Sequence, residues 1–201
     1  MLDAALRRVI DPPLDTAGRW LARRGVAANA VTVAGFAVGM LAIPALATGR
    51  HDLALAAILA NRLADGLDGA IARAVGPSDL GGYLDIVLDF LFYSAVVFGV
   101  ALGRPEHAVW AAFLIFSFVG TGSSFLAYAI VAAKRGVTTA TRGRKSIYYL
   151  GGLAEGSETV IAFVLICLLP DAFPWIAGVF GAMCWITTAS RIGQAVRAFG
   201  D

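Results

Sequence analysis

The sequence predicts an all-α, polytopic membrane protein in one domain, with six transmembrane helices preceded by an N-terminal amphipathic surface helix. Three observations carry that prediction. Of the 201 residues, 59% are hydrophobic and only 15% charged, where a soluble domain carries about 25% charged residues. Apolar runs of about 20 residues recur along the whole chain, long enough to cross a bilayer as helices. The runs are continuous and rich in Ala, Leu and Gly, which argues against the alternating strands of a membrane barrel.

The elements follow in order. Residues 1–27 form a juxtamembrane segment, and residues 28–201 form the six-helix bundle. The opening "MLDAALRRVIDPPL" lacks the uninterrupted apolar stretch and cleavage site of a signal peptide. Its Pro12–Pro13 pair is expected to break any helix, and Arg19, Arg23 and Arg24 then crowd up to the first apolar run. A helix lying on the membrane surface fits this pattern better than a loose tail. The six runs are Val31 to Thr48, Leu53 to Arg73, Leu80 to Leu102, His107 to Ala133, Ile147 to Leu169, and Pro174 to about Ala195. Short connections join them, apart from the longer basic "KRGVTTATRGRKS". Cys167 and Cys184 sit singly in apolar runs as packing residues, with no disulfide or zinc spacing.

Lys and Arg set the orientation. Five arginines lie in the N-terminal segment and five basic residues between Lys134 and Lys145, while Arg50 and Arg104 fall on the opposite side. Both termini and the connection "AVGPSD" are therefore expected on the cytoplasmic side. His51 and His107 then lie externally, and the tryptophans and Tyr148–Tyr149 near run ends read as aromatic belts. The expected partner is a lipid bilayer; no feature points to nucleic acid.

The stretch "DGLDGAIARAVGPSDLGGYLDIVLD" places Asp65, Asp68, Asp85 and Asp89 inside otherwise apolar runs. Two antiparallel helices leaving a turn near Gly76 and Pro77 bring these carboxylates to two matching depths. Within each helix the i,i+3 and i,i+4 spacings put the pair on one face. At 1.5 Å per residue the cluster lies about 12–18 Å from the turn. A buried charge at membrane depth costs about 2.5–3.5 kcal/mol or more, so four carboxylates need compensation. Arg62 and Arg73 supply part of it. Hard divalent cations can supply the rest, because an all-oxygen site suits Mg²⁺ or Mn²⁺. Two such cations about 3.5–4 Å apart would clamp a phosphoryl group during displacement. Gly66, Gly69, Gly81 and Gly82 either let helices pack closely or let a ligand reach the backbone. Two bland or rival readings compete: Asp–Arg packing within the membrane, and a carboxylate-based ion transporter. The latter lacks broken mid-membrane helices and an inverted repeat.

At these residues the sequence resembles the CDP-alcohol phosphotransferases, whose signature is D-x-x-D-G-x-x-A-R-x8-G-x-x-x-D-x-x-x-D. Asp65, Asp68, Gly69, Ala72, Arg73, Gly81, Asp85 and Asp89 fill its eight fixed places. One departure is plain: seven residues separate Arg73 from Gly81 where eight are usual, which shortens the turn and leaves Gly81 and Gly82 both able to face the nucleotide. The resemblance implies that Asp65, Asp68 and Asp85 bind metal, with Asp89 a further ligand and the general base. It implies that Gly69 and Gly81 meet the CDP moiety, that Ala72 packs beside it, and that Arg73 partners the pyrophosphate. It implies two divalent cations, a bacterial inner-membrane location and possible homodimers. The expected reaction moves a phosphatidyl group from a CDP-linked lipid, CDP-diacylglycerol, to a small alcohol with release of CMP. The reverse donor, a CDP-linked headgroup transferred to diacylglycerol, is the alternative within the class.

For the acceptor, Lys134, Arg135, Arg142, Arg144, Lys145 and Arg191 could form an anion pocket for a phosphorylated alcohol. Ordinary positive-inside charge against lipid headgroups explains the loop residues equally. Glu155 and Glu158 could bind an acceptor's amine or hydroxyls, or could pair with Arg191 or Lys145.

Overall fold

The computed structural model describes the backbone of residues 2–136 and 152–200, and side chains from residue 10 onward. Eight α-helices follow one another: α1 (Leu2–Arg23), α2 (Ala28–Gly39), α3 (Ala42–Ala47), α4 (His51–Val75), α5 (Asp79–Gly103), α6 (Ala108–Lys134), α7 (Gly156–Leu168) and α8 (Phe173–Phe199). There is no strand among the described residues, as the unbroken apolar runs require.

Among the described residues, four stretches are long and apolar enough to cross a membrane: Ala28–Ala47, Asp79–Gly103, Pro105–Lys134 and Pro170–Phe199. The second expected span, α4, has 25 residues and so the necessary length, but it carries Arg62, Asp65, Asp68 and Arg73. The described part of the fifth is α7, whose 13 residues reach about 20 Å, short of a bilayer core of about 30 Å. The rest of that run lies outside the described residues.

The first expected span is two helices. Pro44 has no N–H to offer the Met40 carbonyl, so the α-helical ladder lapses there. The Ile43 N–H takes that carbonyl instead, at 3.1 Å, in a tighter turn.

The N-terminus corrects an expectation in the other direction. Pro12 and Pro13 do not break the helix: α1 runs through both. A proline removes its own donor and crowds the preceding turn, yet residues after it propagate normally. The Thr16 hydroxyl donates to the Pro12 carbonyl at 3.0 Å, and the following half of α1 is held by α4. There a Cβ on Gly18 would lie 2.6 Å from Ala70 Cβ, so the two backbones touch as only a glycine allows. Leu14 covers Gly66 in the same contact, and Asp15 pairs with Arg73 at 2.7 Å.

Behind the site, Phe92, Val96 and Val97 of α5 pack with Ile58 of α4, Leu114 of α6, and Phe163 and Ile166 of α7 in one fully or nearly fully buried core. Cys167 and Cys184 are free thiols within it. Helices α6 and α8 lie side by side in parallel: Gly178 meets Trp110, Gly181 meets Phe113, Gly120 meets Thr188, and Phe199 stacks near Tyr128. At the end away from the α4–α5 turn, Arg104 holds Asp171 at 2.7 Å and the Pro170 carbonyl at 3.3 Å.

The turn between α4 and α5 fixes the site. Gly76 ends α4 with φ at +105°, a conformation that an L side chain resists. Pro77 follows, and Ser78 caps α5 by accepting the Gly81 N–H at 3.0 Å. Substituting Gly18 by Leu should push α1 off α4. Overpacking of about 1–3 kcal/mol should lower the thermal midpoint of the detergent-solubilised protein by about 3–10 °C, and an unchanged midpoint would show that this contact does not hold α1.

Candidate metal centre

Helices α4 and α5 leave the turn side by side, and their apolar backs face the core. Their polar residues are left facing a cleft closed on its third side by Thr32, Gly35 and Phe36 of α2. Asp65, Asp68, Asp85 and Asp89 all line that cleft. Oxygens from Asp65, Asp68 and Asp85 lie within 4.8 Å of one another. Asp68 is only 6% exposed, and its Oδ2 is buried without a hydrogen-bond partner.

An uncompensated buried carboxylate oxygen is costly. Here it points among two further carboxylates that repel it, so a cation is the ligand that relieves both penalties. The donor set is all oxygen, which suits a hard divalent ion. The residues present therefore fit a divalent metal.

Asp89 lines the same cleft with a different set of partners. Arg62 Nη2 donates to its Oδ1 at 2.7 Å, and the Tyr93 hydroxyl donates to its Oδ2 at 3.0 Å. Arg62 also lies 3.7 Å from Asp65, so one guanidinium offsets charge on both helices, as the apolar surroundings demand. Asn61 accepts from Arg62 Nε at 2.9 Å and donates from Nδ2 to the Gly35 carbonyl at 3.0 Å.

Arg73 was expected at a pyrophosphate; its Nε and Nη2 donate to Asp15 of α1 at 3.1 and 2.7 Å. A Cβ on Gly69 would meet the Arg73 guanidinium at 3.4 Å, so these two signature positions adjoin. Gly81 faces α2, where a Cβ would lie 3.1 Å from Asn29 Oδ1. Ala72 is half-buried in the last turns of α4.

Among the described residues, the acceptor candidates Lys134, Arg135, Glu155, Glu158 and Arg191 do not line the cleft. Lys134 and Arg135 are exposed at the end of α6, where Arg135 donates to the Phe199 carbonyl at 3.1 Å. Arg191 is 8% exposed and donates from Nη1 to the Thr121 carbonyl at 2.9 Å, which ties α8 to α6. Arg142, Arg144 and Lys145 lie outside the described residues.

Glu155 and Glu158 do the work of a helix start. Glu155 accepts the Gly152 N–H at 3.0 Å and the backbone N–H of Glu158, and Glu158 accepts the Glu155 N–H at 3.2 Å. This reciprocal capping box satisfies orphan donors of the first turn of α7.

Asn61, Thr32 and Tyr93 line or adjoin the site without having been anticipated. The signals were present: Asn61–Arg62 is a polar pair within an apolar run, and Tyr93 follows Asp89 at i,i+4, on the same helix face.

A family model for CDP-alcohol phosphatidyltransferases matches residues 25–190. The chain belongs to that family. Membership makes it a membrane transferase of phospholipid biosynthesis. It is 51% identical over 193 residues to the inner membrane protein YnjF of Escherichia coli (strain K12), covering 96% of this chain and 94% of that protein. It is 31% identical over 192 residues to an archaetidylinositol phosphate synthase of Pyrococcus horikoshii, covering 94% of each.

Among solved structures, the fold resembles the phosphatidylinositol phosphate synthase PgsA1 of Mycobacterium tuberculosis with CDP-DAG bound. That likeness has a TM-score of 0.65 at 20% identity and covers 91% of this chain and 93% of that one. The same synthase in complex with manganese and citrate gives a TM-score of 0.62 at 21% identity, covering 90% and 87%. The signature from Asp65 to Asp89 lies wholly inside the matched region.

Replacing Asp68 by Asn should remove most Mn²⁺ binding, read by electron paramagnetic resonance on the purified protein, without preventing membrane insertion. Wild-type affinity in that variant would dismiss the three-carboxylate site.

Proposed function

We propose that this transferase moves a phosphatidyl group from CDP-diacylglycerol to a small phosphorylated alcohol, releasing CMP, with two divalent cations, Mg²⁺ or Mn²⁺, held by Asp65, Asp68, Asp85 and Asp89. The observation that carries the reading is the convergence of three carboxylates around a buried, unpartnered oxygen, beside a fourth whose oxygens are oriented by hydrogen bonds. A charged pyrophosphate needs that concentration of cations; a packing contact does not. The relative crystallised with CDP-DAG supports the donor. The relative in complex with manganese supports the metal.

When bound, the cations supply positive charge against the pyrophosphate oxygens. The chain's own residues do the rest. Gly69 and Gly81 keep backbone bare on either side of the α4–α5 turn, where the CDP moiety approaches. Arg73, half-exposed beside Gly69, exchanges Asp15 for the pyrophosphate or shares itself between them. Asp89 accepts the proton of the acceptor hydroxyl. The freed oxygen forms a bond to the phosphorus that carries diacylglycerol. The bond from that phosphorus to the oxygen bridging toward CMP breaks, CMP departs with the electron pair, and Asp89 returns its proton to water.

The phosphorylated acceptor rests on two supports. The Pyrococcus relative's name specifies an inositol phosphate lipid as product. The basic residues Lys134 and Arg135 stand at the end of α6, with Arg142 and Arg144 in the connecting sequence, while Arg191 lies further back along α8 against the Thr121 carbonyl. Glu155 and Glu158, committed to capping α7, are poorly placed to bind an amine.

The purified chain should release CMP from CDP-diacylglycerol with Mg²⁺ or Mn²⁺, faster when inositol phosphate or glycerol phosphate is added than with serine or free inositol. Metal-dependent ion flux without CMP release would reject the transferase reading.

The positive-inside asymmetry supports a cytoplasmic face for the cleft and both termini. A cysteine replacing Ser78 should resist impermeant thiol reagents in intact cells, whereas one replacing Arg104 should be labelled. The opposite pattern would reverse the orientation.

A further inference from the structure

We propose that Arg62 and Tyr93 are positioning residues which clamp the Asp89 carboxylate in its role as proton acceptor. The inference rests on the transferase reading above and adds the two side chains that orient its base. Each oxygen of Asp89 has its own donor: Arg62 Nη2 at 2.7 Å on Oδ1 and the Tyr93 hydroxyl at 3.0 Å on Oδ2. The trio shows a different pattern, converging on itself and leaving Asp68 Oδ2 without a donor.

The clamp is itself held. Arg62 Nη1 donates to the Tyr93 oxygen at 3.2 Å, so the only proton of that hydroxyl is directed at Asp89. Hydrogen bonds in such a chain polarise one another in a low-dielectric site. The Arg62 guanidinium lies 4.9 Å from the centre of the Phe92 ring, and its Nε is anchored on Asn61 Oδ1. Asn61 is anchored in turn on the Gly35 carbonyl of α2. The Tyr93 ring is wedged between Phe118 at 6.2 Å and Phe163 at 5.8 Å, from α6 and α7. Residues from five helices therefore fix one carboxylate.

A carboxylate oxygen has two acceptor directions. With one donor on each, Asp89 keeps one direction per oxygen, fixed in space, for an incoming hydroxyl. Arg62 lies three residues before the first signature aspartate and Tyr93 four after the last, so both fall outside the eight signature positions. Simple charge neutralisation needs only a nearby cation, and a lysine at position 62 would serve it. It does not need the Tyr93 hydroxyl. Arg62 also reaches Asp65 at 3.7 Å, which makes Tyr93 the cleaner probe.

The test uses the full-length protein in detergent, comparing wild type with Tyr93→Phe, Arg62→Lys and Asp68→Asn. Two readouts are taken: CMP release from CDP-diacylglycerol, resolved into kcat and KM, and Mn²⁺ affinity by electron paramagnetic resonance. Tyr93→Phe should lower kcat about ten-fold, the worth of one hydrogen bond to a charged group, with donor KM and Mn²⁺ affinity nearly unchanged. Arg62→Lys, which keeps the charge and loses the planar fork, should lower kcat by about ten- to a hundred-fold. Asp68→Asn should lose Mn²⁺ affinity. An unaltered kcat in Tyr93→Phe would overturn the clamp. So would a Mn²⁺ affinity in Tyr93→Phe as weak as in Asp68→Asn, because the Tyr93 hydroxyl would then serve cation binding and not the proton acceptor. No CMP release by the wild-type chain would overturn the transferase reading and, with it, the assignment of Asp89 as proton acceptor.

Discussion

Four carboxylates set into two apolar helices, with a buried oxygen left unpartnered, are the constraint around which the N-terminal half of this molecule is arranged. Like charges at such depth push α4 and α5 apart. The fold answers on three sides. The Gly76–Pro77–Ser78 turn joins the helices too tightly to separate at one end. Arg62 crosses from α4 to Asp89 of α5. Behind them, Ile58, Phe92 and Val96 bury the apolar backs in a common core. The buried Asp68 Oδ2, which finds no hydrogen-bond partner in the chain, is what a cation would relieve.

Helix α1 belongs to the same arrangement. Its Gly18 touches the α4 backbone one turn before Arg73, and Asp15 takes the Arg73 guanidinium. A juxtamembrane segment could have been attached anywhere on the bundle. Here it is pinned beside Gly69 and Arg73, the two signature positions nearest the expected pyrophosphate. Helix α1 thereby covers the face of α4 that carries these two residues, and near its end Arg24 lies 4.2 Å from the centre of the Trp20 ring.

Which parts of this were legible in the sequence follows from the range of the forces involved. The turn, the helix pair and the meeting of Asp65, Asp68 and Asp85 follow from local spacing, because 3.6 residues per turn and a glycine–proline break leave little choice. The continuity of α1 was not legible. Pro12 and Pro13 are local signals against a helix, and a contact with α4 more than fifty residues away overrides them. Glu155 and Glu158 looked like ligands because charge in an apolar run suggests function; the nearer demand was the orphan N–H groups at the start of α7. Arg191 was singled out correctly as buried in an apolar helix, but its partner, the Thr121 carbonyl, depends on the parallel docking of α6 and α8. That docking is a tertiary fact with no sequence periodicity to announce it. Tyr93 was passed over for the opposite reason: an aromatic residue in a membrane run is ordinary until its hydroxyl is seen to have a purpose.

The molecule divides its labour by sequence order. Among the described residues, α2, α4 and α5 supply every residue that lines the cleft, and α4 and α5 carry every position of the signature. Helices α6 and α7 back the cleft, with Phe118 and Phe163 against Tyr93. Donor chemistry is therefore encoded in one contiguous segment, where short loops and helical spacing keep reacting groups in register. The docking of α6 and α8 is set instead by contacts between residues far apart in the sequence, such as Arg191 on the Thr121 carbonyl. On this arrangement Asp89, the proposed proton acceptor, is held from α4 and α5 by Arg62 and Tyr93.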